Sequence, residues 1–216
     1  MCAGVPDSEL MVLERAVTDL HIDPRGTIVD EGEPAQHMFN VTAGTVKVYK
    51  LLPDGRRQII GFLMAGDFIG LAVRQSYAYS AEAVTPVRLC RFPRKKLEEL
   101  FERYPSMEKR LLGLAANELA VAQDLMLLLG RKTAKERLAT FLIMLSDRAR
   151  RLGMPSNPVS LPMSRTDIAD YLGLTTETVS RAFTQLKNLK LIRLDTTSQA
   201  QILDVEALRD LTEGGS

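Results

Sequence analysis

Glu177, Ser180 and Arg181 lie within one helical turn of each other on a segment whose other positions are largely apolar. An arginine donates two hydrogen bonds to O6 and N7 of a guanine, the commonest specific contact in the major groove of DNA. A glutamate accepts from cytosine N4, and four residues before an arginine on a helix it also holds the guanidinium in place. A serine hydroxyl meets a thymine or adenine edge. Base reading is the chemistry these three side chains share.

The surrounding stretch, Arg165 to Leu186, reads as two short helices joined by a tight turn. The first carries Ile168, Ala169 and Leu172 inward, and the second Val179, Ala182, Phe183 and Leu186. Ala169 is small enough for the helices to approach closely, and Gly173 supplies the left-handed backbone that ends the first. Thr175 caps the second, with Glu177 in its first turn, where a negative charge suits the helix dipole. This is the spacing of a helix-turn-helix whose second helix enters a major groove. A plain helical hairpin in a core is the alternative, and it leaves the three polar residues without a role.

The chain has 216 residues, enough for two modest domains, with ordinary hydrophobic (45%) and charged (25%) content for a globular protein. Its net charge of +1 hides an asymmetry, because Arg131 to Leu203 holds 12 Lys/Arg against 6 Asp/Glu. That excess suits a domain facing phosphates. Two cysteines make no disulfide framework, which implies a reducing cytoplasm. No apolar run approaches the roughly 18 residues of a membrane span, and no signal peptide is evident.

Pro6 to Leu20 is predicted as an amphipathic helix. Strand-like runs follow at Thr27–Val29, Met38–Val41, Thr45–Leu51, Gln58–Leu63 and Val87–Phe92, with a hairpin at LPDGR. Lys47 and Tyr49 alternate with Val46 and Val48, the period of a half-buried strand. Short strands with regular turns imply a small antiparallel barrel or jelly roll. Near Arg94 the pattern turns helical, and from Ser106 a long helix runs to about Leu129.

Leu112, Ala115, Leu119, Ala122, Met126 and Leu129 repeat on that helix at spacings of three and four, a heptad seam for a partner helix. Leu111, Leu114, Val121, Leu125 and Leu128 form a second stripe that can pack on the barrel. One broad core face is the alternative, but a two-fold DNA reader needs a dimer. Gly130, Arg131 and Lys132 mark a hinge, and Thr133-x-x-Glu136 is a capping box that opens a helix to about Leu152. Ser164 caps the first helix of the reading pair. Leu191–Leu194 and Gln201–Leu203 flank Asp195–Thr197 as a wing hairpin, and Val205 to Leu211 closes the chain with a short helix.

Barrel, long helix and winged helix-turn-helix in this order resemble the Crp/Fnr superfamily of bacterial transcription regulators. The resemblance covers nearly the whole chain, and GFLMAGDFIG, QDLMLLLGRKTAKERLATFL and DIADYLGLTTETVSR carry it best. It implies an α+β fold: an N-terminal helix and antiparallel β-roll of the cyclic-nucleotide-binding type (residues 1–104), a dimerisation helix (105–130), and a C-terminal winged helix-turn-helix (131–216). The E-x-x-S-R pattern, with Thr176 where the cyclic-AMP receptor has an arginine, matches the Fnr and FixK branches. It implies a TTGAT- or TTGAC-like half-site in an inverted repeat, a homodimer in the cytoplasm, RNA polymerase as partner, no membrane, and oxygen- or redox-linked target genes. Ser164, Thr166, Thr175 and Thr178 match family positions that touch phosphate.

Departures from the family matter as much. Cyclic-nucleotide members hold ribose with a glutamate after FIG and phosphate with an Arg-Ser or Arg-Thr pair. Here Leu71 follows FIG and the pair is Tyr77–Ala78, with Arg74 the only arginine nearby, so a cyclic nucleotide is rejected. Fnr proteins hold a 4Fe–4S cluster with four thiolates. Cys90 stands where the barrel ligand belongs and Cys2 resembles the last N-terminal one, an incomplete set that would need cysteines upstream. No cofactor is therefore expected, with an Fnr-type oxygen sensor as the alternative. An enzyme is a rival of another class, since the barrel also resembles metal-binding cupins. His21 and His37 are the only histidines, however, and no phosphate loop or nucleophile elbow occurs. A non-DNA effector-binding barrel is the remaining rival.

Overall fold

A computed structural model describes residues 17–71 and 75–213 of the chain. The chain divides into two compact units, residues 1–122 and 123–216. The first contains strands β1 (Thr18–Ile22), β2 (Thr27–Val29), β3 (His37–Ala43), β4 (Val46–Leu51), β5 (Arg57–Leu63), β6 (Phe68–Ile69), β7 (Ser80–Ala83) and β8 (Val87–Pro93). They form two four-stranded antiparallel sheets, β1-β8-β3-β6 and β2-β7-β4-β5. Val29, Phe39, Val41, Val48, Ile69 and Leu89 are among the buried residues of the roll's core. Helix α1 (Arg94–Arg103) follows, its Leu97 and Leu100 packed with Met38, Phe68 and Phe92 in a second cluster.

Several boundaries differ from expectation. The helix expected over Pro6 to Leu20 falls outside the described residues up to 16, and Thr18–Leu20 belong to β1 instead. Pairing decides this: Leu20 lies opposite Leu89 on β8, so Leu20 and Ile22 reach the roll while Asp19 and His21 alternate away. The short strands β6 and β7 were not foreseen. On β4, Lys47 is as buried as its valine neighbours, because its ammonium meets Glu82 of β7 at 2.9 Å across the sheet. The LPDGR hairpin forms as expected, with Leu52 N–H donating to Arg56 O at 2.8 Å and Gly55 at φ +84°.

Helix α2 spans Pro105–Arg131. Pro105 opens it rather than breaking it, since the first turn has no intrahelical use for the missing N–H. The expectation that no apolar stretch has the length of a membrane span fails here. By length and composition alone α2 is long and apolar enough to cross one, with an 18-residue window of mean hydropathy 1.4 that is 6% buried. Between Leu111 and Gly130 only Glu118 and Asp124 are charged, and scattered Asn and Gln do little to lower the average.

The second unit begins within α2 and continues with α3 (Ala134–Arg151), β9 (Val159–Ser160), α4 (Arg165–Leu172), α5 (Thr176–Asn188), β10 (Ile192–Thr196), β11 (Gln199–Ile202) and α6 (Val205–Thr212). The capping box of α3 is complete: Thr133 N–H donates to Glu136 Oε2 at 2.9 Å, and Glu136 N–H to Thr133 Oγ1 at 3.4 Å. Leu138, Phe141, Leu142, Ile168, Leu172 and Val179 are fully buried. Each stabilises the unit by roughly 1.5–3 kcal/mol relative to exposure. The wing is a three-stranded sheet, β10-β11-β9, rather than a lone hairpin. Its turn falls at Thr197–Ser198, because Asp195 and Thr196 stay in β10 around a bulge and Asp195 accepts from Arg193 Nε at 2.8 Å.

Candidate nucleic-acid interface

The reading pair is assembled from caps inward. Ser164 Oγ accepts from Asp167 N–H at 3.0 Å and donates to Asp167 Oδ2 at 2.6 Å, starting α4. Gly173 ends it with φ +62°, a conformation that L side chains rarely adopt. Thr175 Oγ1 then accepts from Thr178 N–H at 3.1 Å and starts α5. Ile168, Ala169, Leu172, Val179, Ala182, Phe183 and Leu186 are all buried, which leaves α5 one orientation relative to α4.

That orientation turns the polar ridge outward. Arg181 Nη2 donates to Glu177 Oε1 at 2.6 Å, and both side chains are 73% exposed. Ser180 Oγ donates to Thr176 O at 2.9 Å, so its hydroxyl proton is spent within the helix and its lone pairs remain for a base amino group. The three expected base-reading residues are thus together on one exposed face. Thr184 and Gln185, one turn further on, line the same open hollow of about 460 Å³. Their i+3 and i+4 spacing from Arg181 was the signal that could have found them.

The four expected phosphate residues are less uniform. Thr166 is exposed in the first turn of α4, where backbone N–H groups and the helix dipole favour an anion. The Ser164 proton is directed at Asp167, and the Thr175 and Thr178 hydroxyls lie 2.8 Å apart. Ser164 and Thr175 are caps as they stand, and Thr178 is bonded to the second of them. Arg165 was not foreseen: its guanidinium lies 3.6 Å from the centroid of the Phe183 ring, and burial holds its pKa below the usual arginine range.

Of the seam, Leu112 (71%), Leu119 (60%) and Met126 (70%) are exposed, as are Ala115 and Ala122. Leu129 differs from these in exposure. It is half-buried, with Cδ2 only 3.2 Å from where a Cβ on Gly173 would stand. The second stripe splits: Leu114 packs on the cluster beneath α1, Leu128 is buried, and Val121 is exposed. The Leu111 side chain is outside what is described.

In the roll, Tyr77, expected to stand where the family's arginine would, is held by the main chain. Its hydroxyl donates to His37 O at 2.9 Å and its ring lies against Gly70, while Arg94 donates to Gly70 O at 2.6 Å and Ala35 O at 2.7 Å. Arg74 and Cys2 lie outside the described residues. Cys90 is half-buried, its thiol 3.7 Å from Asp19 Oδ1. Among the described residues no three His, Cys, Asp or Glu side chains are grouped to hold a metal.

A two-sheet roll, a long helix with an exposed apolar face, and a winged helix-turn-helix with an outward polar ridge define a DNA-binding transcription regulator. Residues 20–104 match the family model of the cyclic nucleotide-binding domain, and residues 136–211 that of the Crp-like helix-turn-helix domain. The transcriptional activatory protein AadR of Rhodopseudomonas palustris is 44% identical over 89% of this chain and 80% of its own length. The nitrogen fixation regulation protein FixK of Bradyrhizobium diazoefficiens is 42% identical over 87% and 79%. The solved structure of FixK2 from Bradyrhizobium japonicum superposes with a TM-score of 0.84 at 40% identity, covering 90% of this chain and 96% of that one. The chain belongs to the Crp/Fnr superfamily, and within it is FixK-like.

Proposed function

We propose that this regulator is a cytoplasmic homodimer that reads a TTGAT- or TTGAC-like inverted repeat and controls oxygen- or redox-linked genes together with RNA polymerase. The outward Glu177–Arg181 pair carries this reading, because the glutamate pre-sets the arginine for a guanine edge. Residues 1–104 serve as the sensor-type roll, 105–130 as the dimer helix and 131–216 as the reader. The exposed stripe of α2, spaced at three and four residues, supports pairing with a second copy.

The roll works without a cyclic nucleotide. Tyr77 offers a phosphate no planar fork of donors, and its hydroxyl is already bonded to the main chain. Cys2 and Cys90 are two of the four thiolates that a 4Fe–4S cluster would use.

Arg181→Ala tests the base-reading role. In a gel shift the variant should lose roughly 30-fold or more in affinity for the inverted repeat, since a homodimer gives up one bidentate contact of about 1–3 kcal/mol in each half-site. Its weak, salt-sensitive affinity for unrelated duplex should persist. An unchanged preference for the TTGA-containing site would overturn the assignment.

A further inference from the structure

Arg137, in the first turn of α3, spends its guanidinium entirely on main-chain carbonyls. Nε donates to Lys132 O, Nη2 to Leu129 O and Nη1 to Leu172 O, each at 2.8 Å. Leu129 is in the last turn of α2, Lys132 is in the hinge, and Leu172 is the last residue of α4. The final carbonyls of a helix lack intrahelical partners and carry the negative end of its dipole. A flat cation with forked donors therefore clasps two helix ends and the link between them. An apolar contact flanks the clasp: a Cβ on Gly173 would stand 3.2 Å from Leu129 Cδ2 and 3.5 Å from Arg137 Nη1.

Only Lys132 and Thr133 separate α2 from α3. Two non-helical residues leave four soft backbone dihedrals, enough for a tethered reading head to pivot. The grip on Leu172 lies three residues before Thr175, the cap of the reading helix, so it acts directly on the orientation of that helix. In a dimer each added base pair between half-sites shifts one of them by about 3.4 Å and about 35°. A head free to pivot would accept such shifts, and a clasped one would not.

We propose that Arg137 is a positioning residue that sets the spacer length the dimer accepts between its half-sites. The proposal rests on the homodimeric reading given above. Lysine keeps the charge and the reach but presents a single ammonium, which cannot hold three carbonyls in a plane. R137K is therefore the critical variant, with R137Q, which removes the charge, beside it.

The test measures full-length wild type, R137K and R137Q against duplexes whose two half-sites are separated by the best wild-type spacer, one base pair fewer, or one more. Salt is fixed and thermal unfolding is followed in parallel. Wild type should prefer its best spacer by about tenfold or more, the cost of one misplaced contact. In folded R137K and R137Q that preference should fall below about threefold, through weaker binding to the best spacer with little change on the others. A purely stabilising role would lower all three affinities by one factor and leave the preference intact. A folded R137K with the wild-type spacer profile overturns the proposal. So does an R137K chain that cannot fold, because Arg137 would then be a folding residue. If wild type itself binds as a monomer, or shows no preference for paired half-sites, the dimeric reading fails and this proposal goes with it.

Discussion

At the scale of single residues, the Glu177–Arg181 ion pair contributes little to stability, since exposed pairs are worth about 0–1 kcal/mol. Its importance lies in the direction it imposes on the guanidinium. That pair was legible in the sequence because an i, i+4 spacing fixes geometry without knowledge of the fold. Lys47 was not legible, because its partner Glu82 is set by strand pairing. The cap at Ser164 was legible, but the hydroxyl–hydroxyl contact between Thr175 and Thr178 was not, because these residue types cap helices and touch phosphates alike. His37 gives a prediction at this scale. It lines a cavity of about 250 Å³ with Glu33, Tyr77 and Arg91, and burial, then the charge of Arg91, hold its pKa below 6.5. Below pH 6.5 the unfolded chain therefore binds a proton that the folded chain resists, and stability falls as pH drops through the folded pKa. His37→Gln should flatten the decline below pH 6.5 in thermal unfolding and leave the pH dependence above it unchanged. An unchanged slope would show that His37 does not carry it.

Elements were readable where periodicity was long and unreadable where pairing was short. The capping box at Thr133 and the glycine cap at Gly173 located α3 and α4 to within a residue or two. β7, Ser-Ala-Glu-Ala, has no β-branched or aromatic residue and owes its conformation to β2 and β4 on either side. On α2 the three-and-four spacing leaves Leu112, Leu119 and Met126 exposed, while Leu129 is half-buried near the turn at Gly173. Leu119→Glu tests the seam. The side chain is exposed, so the fold should tolerate the change, while two carboxylates facing each other across a two-fold axis repel and the buried leucine contacts are lost, roughly 1.5–3 kcal/mol for each. Sedimentation at micromolar concentration should find wild type dimeric and the variant monomeric. A monomeric wild type would remove the seam.

For the whole molecule, order along the chain and distribution of charge were the informative quantities. Twelve basic against six acidic residues between Arg131 and Leu203 give the reader its attraction for a polyanion, although the chain as a whole is nearly neutral. The proposed seam and the reading head are consecutive rather than interleaved, for α2 ends at Arg131 and α3 begins at Ala134. A fragment stopping just after Gly130 would therefore keep the surface that recruits a twin and lose the part that grips the operator. Co-expressed in excess with intact chains, such a fragment should sequester them in lopsided pairs bearing a single head, and silence a reporter gene that depends on them. The same fragment carrying Leu119→Glu should be harmless. Poisoning by the altered fragment would show that something other than the apolar stripe draws the chains together.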